Sequence, residues 1–551
     1  MKQALVAVAA FYTIPFLFFA EDNVVEGLPF DQAAILMIVL VLLGLAVLRI
    51  ARWLLKDWAK AGILTVLLSF PLFYFRTMVV ELVKVLPDSI GASIVIYPLV
   101  ALAAVGVLFG LRRLKDEQAK TVVSYLSVVG VVLFAYAFTL CGLAVERNSG
   151  ARVDVRNADL RSAPLTSQKP SGPAEPPDIY FLVFDRYTGQ IGLRETYGFD
   201  NTPFLNSLRK KGFYVATEGF SNYPFTASSL TSSLNGGLLK TSGAVKKVSS
   251  GKAYFEKLKS PQVAVSLKKA GYSVTQVGSW WGPTETSAVA DENPRYAWAF
   301  RIFGKDVHVG NMTGVYLLNT MFVDFYEKVS PQPFRVEKRQ GPIFHEQLET
   351  LGTIAERDDD KPRLVIAHIL MPHPPYVFDR DGSALPDGLS SSQKYLRQLT
   401  YANTQITRLV DRLLRARPDD PPVIVLTADE GEYPSRFGPD AADAELRKKT
   451  NILSAFYFPA KSGKKSADED SGERYGSLYP TITSVNYFRV ILNRYLGADL
   501  PLQPDRTYTN KLGKPFVFYD VTKRVHATPG PPGSGGKRDA GPTPDAGSTI
   551  R

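Results

Sequence analysis

Pro421-Pro-Val-Ile-Val-Leu-Thr-Ala-Asp429-Glu430-Gly431-Glu432-Tyr-Pro-Ser-Arg436 sets an apolar, β-branched run directly against a cluster of acids. Runs of this kind belong in a sheet buried on both faces, where charge is costly. Two acids at its carboxyl end, with a glycine to turn the chain, imply a positive species beside them. A strand that merely ends in a solvated acidic loop looks the same in isolation. The decision therefore rests on where the other strands end.

Residues 178–525 alternate short apolar runs with amphipathic helical stretches. That alternation predicts an α/β domain with a largely parallel central sheet and helices on both faces. Strands are expected at 178–184, 212–216, 272–277, 363–370, 422–427 and 451–458, and helices at 202–211, 227–234, 262–270, 345–357, 391–416 and 485–495. Strand ends then carry Asp185, Ser279-Trp280-Trp281, His373 and Asp429-Glu430. In open α/β sheets, ligands bind beyond the carboxyl ends of the strands. Acids and a histidine delivered to one edge by separate segments point to a metal or phosphate site.

Residues 1–145 differ in kind. Apolar stretches at roughly 3–20, 33–50, 61–80, 92–111 and 121–144 each approach the ~20 residues of a membrane-spanning helix. Pro71 and Arg76 interrupt the third. The residues before Glu21 are Phe-Phe-Ala, a poor cleavage site, so the first stretch reads as a span and not a signal peptide. The 49–60 loop carries Arg49, Arg52, Lys56 and Lys60, and the 112–120 loop carries Arg112, Arg113, Lys115 and Lys120. The alternate loops hold Glu21, Asp22 and Glu26, then Glu81, Lys84 and Asp88. The positive-inside rule makes the two basic loops cytoplasmic, and an odd number of spans puts everything after residue 145 outside. One helix would suffice as an anchor, so several imply that the membrane part takes part in substrate access.

Residues 146–177 read as a Pro- and Ser-rich tether, with 146–160 forming a short surface helix, and 526–551 as a disordered tail. The net charge of +11 is spread over membrane flanks and helices, with no basic run interleaved with aromatics, so no nucleic-acid partner is expected. The only cysteine, Cys141, lies in an apolar segment and excludes disulfides and cysteine-based metal sites.

Asp185, Asp429 and Glu430 would repel one another without a cation and become ligands with one. Carboxylates favour the harder ions Mg²⁺, Mn²⁺ and Ca²⁺, and Zn²⁺ also accepts oxygen. Thr226, in Ser221-Asn-Tyr-Pro-Phe-Thr-Ala-Ser-Ser-Leu230, stands where a loop enters a helix. Backbone N–H groups and the helix dipole there favour a phosphate or sulfate. A metal-bound hydroxyl is a nucleophile for phosphorus, and a helix cap is the plainer role for the same residue. Ser228 is the reserve nucleophile. His373, stiffened by prolines, is read as a metal ligand, a donor to a phosphoryl oxygen or an acid for the leaving group. His368, inside a strand, is read as structural, and His308, His345 and His526 have no matching context. Trp280 and Trp281 are candidates for lining a lipid or sugar pocket, and Asn222 for holding an oxygen of the transferred group.

The ordered set Asp-Ile-Tyr-Phe-Leu-Val-Phe-Asp185, Thr226 at a loop–helix junction, Pro-His373-Pro-Pro-Tyr and Thr-Ala-Asp429-Glu430-Gly431-Glu432 resembles the alkaline-phosphatase superfamily, in its sulfatase-like hydrolase/transferase branch. With the membrane part, the chain is similar to bacterial phosphoethanolamine transferases and lipoteichoic acid synthases. The resemblance implies one divalent metal held by Asp185, Thr226, Asp429 and Glu430, with Thr226 also the nucleophile and His373 contacting substrate. It also implies a phospholipid donor and a cell-envelope glycan or lipid acceptor. The family pattern has Asp-His-Gly where this chain has Asp429-Glu430-Gly431, which makes the ligand set all-oxygen and moves it away from zinc. The Cys-x-Pro-x-Arg of formylglycine sulfatases is absent. Three functions are expected in order: an inner-membrane phosphotransferase acting outside the cytoplasm, a phosphate or sulfate ester hydrolase using the same site, and an inactive envelope-binding module.

Overall fold

The computed structural model describes residues 1–24, 30–83, 92–155, 160, 176–243, 245–248, 250–296, 299–302, 305–309, 311–329, 336–459 and 471–526. Most of the proposed tether, the tail from residue 527, and the loop residues Glu26, Lys84 and Asp88 lie outside this set.

The N-terminal part is helical: α1 (Lys2–Asp22), α2 (Phe30–Leu55), α3 (Trp58–Phe73), α4 (Phe75–Val83), α5 (Ala92–Arg113) and α6 (Asp116–Arg147). Four of these are long and apolar enough to cross a membrane, and α3 with α4 makes a fifth if that pair, bent by 58°, is one span. Pro71 in the last turn of α3 cannot donate a backbone hydrogen bond, and the helix breaks two residues after it, at Phe73. Small residues let α1 approach its neighbours closely. A Cβ on Gly44 of α2 would stand 2.8 Å from Val8, one on Gly62 of α3 2.8 Å from Ala4, and one on Gly130 of α6 3.0 Å from Ala10. The two basic loops share one end of the bundle, where Lys60 pairs with Asp116 at 2.8 Å.

The C-terminal part contains β1 (Ala151–Val155), β2 (Ile179–Phe184), β3 (Tyr214–Val215), β4 (Leu239–Gly243), β5 (Ser273–Val277), β6 (Ala299–Ile302), β7 (Lys305–His308), β8 (Arg363–Ile369), β9 (Val423–Thr427) and β10 (Ser454–Tyr457). The six-stranded sheet runs β3-β10-β9-β2-β8-β5. Neighbours β9, β2, β8 and β5 are parallel, and β10 is antiparallel to both its neighbours. The expected α/β class with a largely parallel sheet is thus observed.

Alternation along the strands splits the core in two. Tyr180, Leu182 and Phe184 of β2 join Ile424 and Leu426 of β9 on one face. Ile179, Phe181 and Val183 join Val423 and Val425 on the other, under the Thr226–Asn235, Gln262–Lys269 and Tyr487–Leu496 helices.

Two expectations are corrected. The surface helix expected at 146–160 is not seen in its described residues up to 155: α6 ends at Arg147, and Ala151–Val155 pairs antiparallel with β4, while 156–159 lie outside the described residues. Arg152 and Asp154 alternate with Val153, and Val153 joins Leu239 in one buried cluster, which fixes this stretch as an amphipathic strand. The helix expected at 345–357 starts earlier, spanning Val336–Ala355, with Pro342 inside it.

Leu426→Ala removes a fully buried side chain from the central sheet and should cost about 2–5 kcal/mol. Leu102→Ala, at a 70% exposed position of α5, should cost far less. Thermal unfolding of the detergent-purified protein should show a clear fall in Tm for the first and little change for the second.

Candidate active site

The same alternation that divides the core aims three side chains at one place. His368 is aligned with Val183 across β2 and β8, and Thr427 with Val183 across β2 and β9. Residues 183 and 185, 366 and 368, and 427 and 429 therefore share the face covered by the Thr226–Asn235 helix. Asp185, His368 and Asp429 come together there, each offering a ligand atom within 4.8 Å of the others, and all three are buried.

Several atoms in this cluster have no hydrogen-bond partner: Asp185 Oδ1, Asp429 Oδ2, Glu430 Oε2 and His368 Nε2. Buried polar groups are rarely left so. Three carboxylate oxygens and an imidazole nitrogen are the donor types a divalent cation takes. The residues present therefore fit a metal.

The electrostatics agree. Burial and then the Asp185 and Glu430 charges push the Asp429 carboxyl well above the usual carboxylate range, with Thr226 and Lys449 opposing. Burial also opposes the Asp185 charge, but His373, His368 and Arg186 outweigh it and hold that carboxyl well below its ordinary value. Two acids driven in opposite directions are what a shared site without its counter-charge produces.

Thr226 is the first residue of its helix, and its hydroxyl is close enough to Asp429 to favour that residue's ionised form. No side chain caps that helix end. Ser228 is buried and its hydroxyl donates to the Phe225 carbonyl at 3.0 Å, so it is turned into its own helix. Glu430 is divided between two roles. Oε1 lies 2.7 Å from Lys449 Nζ and 3.5 Å from Arg186 Nε, while Oε2 is unpartnered. Lys449 is buried and its ammonium lies 4.2 Å from the centre of the Tyr433 ring. Burial lowers its pKa, against the pull of Glu430. Arg186 holds φ 61° and its backbone N–H reaches Asp429 Oδ1 at 3.4 Å. That conformation is uncommon for a side chain larger than glycine and is maintained by its neighbours: Tyr395 donates to the Arg186 carbonyl at 3.0 Å.

Gly431 does not turn the chain by a left-handed conformation; its role is close approach. A Cβ there would lie 2.0 Å from the Lys448 carbonyl oxygen, and the Gly431 N–H donates to the Lys449 carbonyl at 2.7 Å. The glycine thereby draws the end of the Asp443–Thr450 helix, with Lys449, against Glu430.

His373 follows β8. Burial pushes its pKa down to about 4, with Asp185 opposing and Arg186 assisting. Its Nδ1 donates to the Pro374 carbonyl, which leaves Nε2 as the free acceptor. His368 contacts Thr284 Oγ1 through Nδ1 at 2.7 Å and stands 3.4 Å from Asp185 Oδ2 through Nε2. With Nδ1–H donating to Thr284, Nε2 presents its lone pair to the cluster, as in a metal-bound imidazole. Trp281 packs edge-on to the His368 ring at 5.9 Å and Trp280 to the His373 ring at 6.0 Å, so both tryptophans flank the site. Asn222 is committed elsewhere. Its amide donates to Thr483 Oγ1 and the Arg506 carbonyl and accepts from Ser484 Oγ and the Val485 N–H.

The sequence reading missed Lys449, Arg186 and the placement of His368. The last had a signal: Ile366 and His368 share a strand face, and an imidazole in an otherwise apolar buried run requires a partner. Lys449 had none, because its position depends on the fold bringing the Asp443–Thr450 helix to β9.

Adding a divalent ion to the chelator-treated protein should raise its Tm, by an amount equivalent to about 2.7 kcal/mol at 100 times Kd. Asp429→Asn should leave the metal-free protein at least as stable as the parent and abolish that rise. Differential scanning calorimetry of both proteins checks this.

Comparison with known proteins follows the same lines. A family model described as Sulfatase matches residues 192–487. No curated protein matches. Among solved structures, the integral membrane lipooligosaccharide phosphoethanolamine transferase EptA of Neisseria meningitidis is 14% identical, with 89% of this chain and 95% of that chain covered and a TM-score of 0.39. The C-terminal periplasmic domain of EptC from Escherichia coli is 16% identical, with 65% and 96% covered and a TM-score of 0.38. A protein of the alkaline phosphatase superfamily from Vibrio parahaemolyticus is 14% identical, with 64% and 81% covered and a TM-score of 0.36. With the model match covering more than half of its length and spanning Thr226, His368, His373, Asp429 and Glu430, the chain belongs to the sulfatase family.

Proposed function

We propose that this chain is a membrane-embedded, metal-dependent phosphotransferase. It takes a phosphoryl-alcohol group of the phosphoethanolamine or phosphoglycerol type from a phospholipid. It holds the group on Thr226 and passes it to a cell-envelope glycan or lipid. The observation that carries this reading is the Thr226 hydroxyl next to Asp429, at a helix start, beside a set of unpartnered buried ligand atoms.

Asp185, Asp429 and Glu430, with the Thr226 hydroxyl, would hold one divalent ion, and His368 Nε2 is a further donor within reach. Bound there, the ion would neutralise the carboxylates and make the threonine hydroxyl easier to deprotonate. The residues of the chain then divide the work. Thr226 Oγ forms a bond to phosphorus as the ester bond to the lipid diacylglycerol breaks. The proton that Thr226 loses is the one the departing alcohol gains, and His373 is the group assigned to carry it. An acceptor hydroxyl then attacks the phosphothreonine and restores Thr226. Arg186 and Lys449 supply fixed positive charge next to Glu430 and leave its second oxygen for the metal.

Hydrolysis is the second reading, favoured by the description of the matching family model. Water would replace the acceptor at the same phosphothreonine. For the setting, the basic loops lie together at one end of the bundle, while the outer domain meets the other end through Tyr316 against Phe16, Phe19 and Phe73. With the positive-inside rule this supports a bacterial cytoplasmic-membrane protein whose catalytic domain lies on the periplasmic or extracellular side.

The test uses the full chain in liposomes with head-group-labelled phosphatidylethanolamine or phosphatidylglycerol and a crude envelope glycolipid fraction. Thr226→Ala should reduce transfer by at least about 100-fold, on the scale of an essential catalytic group, and Ser228→Ala should retain it. Label appearing only as free head-group phosphate would establish the hydrolase reading. Full activity in Thr226→Ala would overturn the threonine mechanism.

A further inference from the structure

Away from the sheet edge, one segment of the outer domain packs into the membrane part. The Asn311–Leu317 and Met321–Val329 helices follow β7. Tyr316 is buried, and its neighbours are rings of α1 and α3: Phe16 at 5.3 Å, Phe19 at 5.2 Å and Phe73 at 6.4 Å between centroids. The Arg76 N–H of α4 donates to the Asn319 carbonyl at 3.2 Å. Tyr97 of α5 donates to Asp324 Oδ2 at 2.9 Å, and Lys328 Nζ sits 3.0 Å from that oxygen and 4.1 Å from the centre of the Tyr97 ring.

These contacts fix which side of the Met321–Val329 helix faces protein. Asp324 and Lys328 pair there, and Val323 is buried. The other side carries Phe322, Phe325 and Val329, which are 39%, 59% and 65% exposed. Their spacing places them on one helical face. On α4, bent away from α3, Met78 and Val80 are also exposed, at 39% and 48%. Bulky apolar side chains gathered in this way mark an interaction surface. What covers this one follows from its continuity with the outer ends of α1, α3 and α5, where a bilayer around those helices would begin.

We propose that the Met321–Val329 helix lies in the head-group–acyl boundary of the bilayer and inserts Phe322, Phe325 and Val329 among the lipids. Helices of this kind bury their apolar face by about 5–10 Å. Asp324, paired with Lys328 and Tyr97, brings no unpaired charge to that depth. The helix thus gives the catalytic domain a contact with the lipid surface that does not run through the covalent tether at 146–177. The inference rests on reading α1–α6 as membrane spans and is independent of the reaction.

The single cysteine makes the test direct. In a Cys141→Ser background, Phe325→Cys, Val132→Cys and Asp360→Cys are made singly in the full chain, labelled with an environment-sensitive fluorophore and placed in nanodiscs. Val132 on α6 is 60% exposed and reports the span reading. Asp360, exposed at the opposite edge of the sheet, reports solvent. The label at 325 should be blue-shifted, quenched by lipids spin-labelled near the head group, and about tenfold less quenched by aqueous iodide than the label at 360. Val329→Cys should repeat the result if Phe325→Cys disturbs folding. Iodide quenching at 325 equal to that at 360 would overturn the inference, and so would shielding from both quenchers with Val132 in lipid. A label at 132 outside the lipid would overturn the span reading beneath it.

Discussion

Three carboxylates are buried side by side at the ends of two adjacent parallel strands, and most of this molecule's chemistry follows from that crowding. Asp185, Asp429 and Glu430 are each no more than 2% exposed. In a dry, low-dielectric edge their repulsion is far stronger than it would be in water. The fold supplies only part of the compensation. Lys449 and Arg186 take one oxygen of Glu430 and His368 approaches one oxygen of Asp185. One oxygen on each acid remains unmatched. A buried charge set that stays incomplete after the protein has supplied its own cations is best completed by an added one.

That incompleteness organises the surroundings. Gly431 lets the Asp443–Thr450 helix come close enough to deliver Lys449. The left-handed Arg186 turns the chain immediately after Asp185, so that a backbone N–H reaches Asp429. Thr226 enters from the helix that covers this face of the sheet, and two tryptophans pack against the two histidines. The N-terminal helices contribute none of the cluster in the described residues, yet they meet the same domain through Tyr316 and Asp324. Those contacts hold the acidic edge of the sheet in a fixed relation to the N-terminal helices.

Much of this could be read from residue order. Apolar runs ending in Asp185 and Asp429 gave two adjacent strands of a parallel sheet, and the run at 363–370 gave the third. Period and length gave the helices long and apolar enough to cross a membrane, and Pro71 marked where one of them breaks. What could not be read depends on contacts between distant segments. Lys449 acquires meaning only when its helix docks on β9. Asn222 looked available because it precedes Thr226, but its amide is spent on the 483–485 and 506 backbone and side chains. The strand at Ala151–Val155 was hidden because its partner, β4, lies more than eighty residues later and the stretch resembles its polar surroundings. His368 was misjudged for a simpler reason. Its position inside a strand suggested packing, although its alternation with Ile366 placed it on the face of the acids.

A single divalent ion is expected among these side chains. The direct measurement is anomalous diffraction from crystals of the full chain grown with Mn²⁺, collected on both sides of the manganese edge. One strong peak is expected within about 2.0–2.6 Å of oxygens from Asp185, Thr226, Asp429 and Glu430. A fully occupied ion elsewhere, or an empty cluster with Lys449 swung in to pair with Asp429, would contradict it.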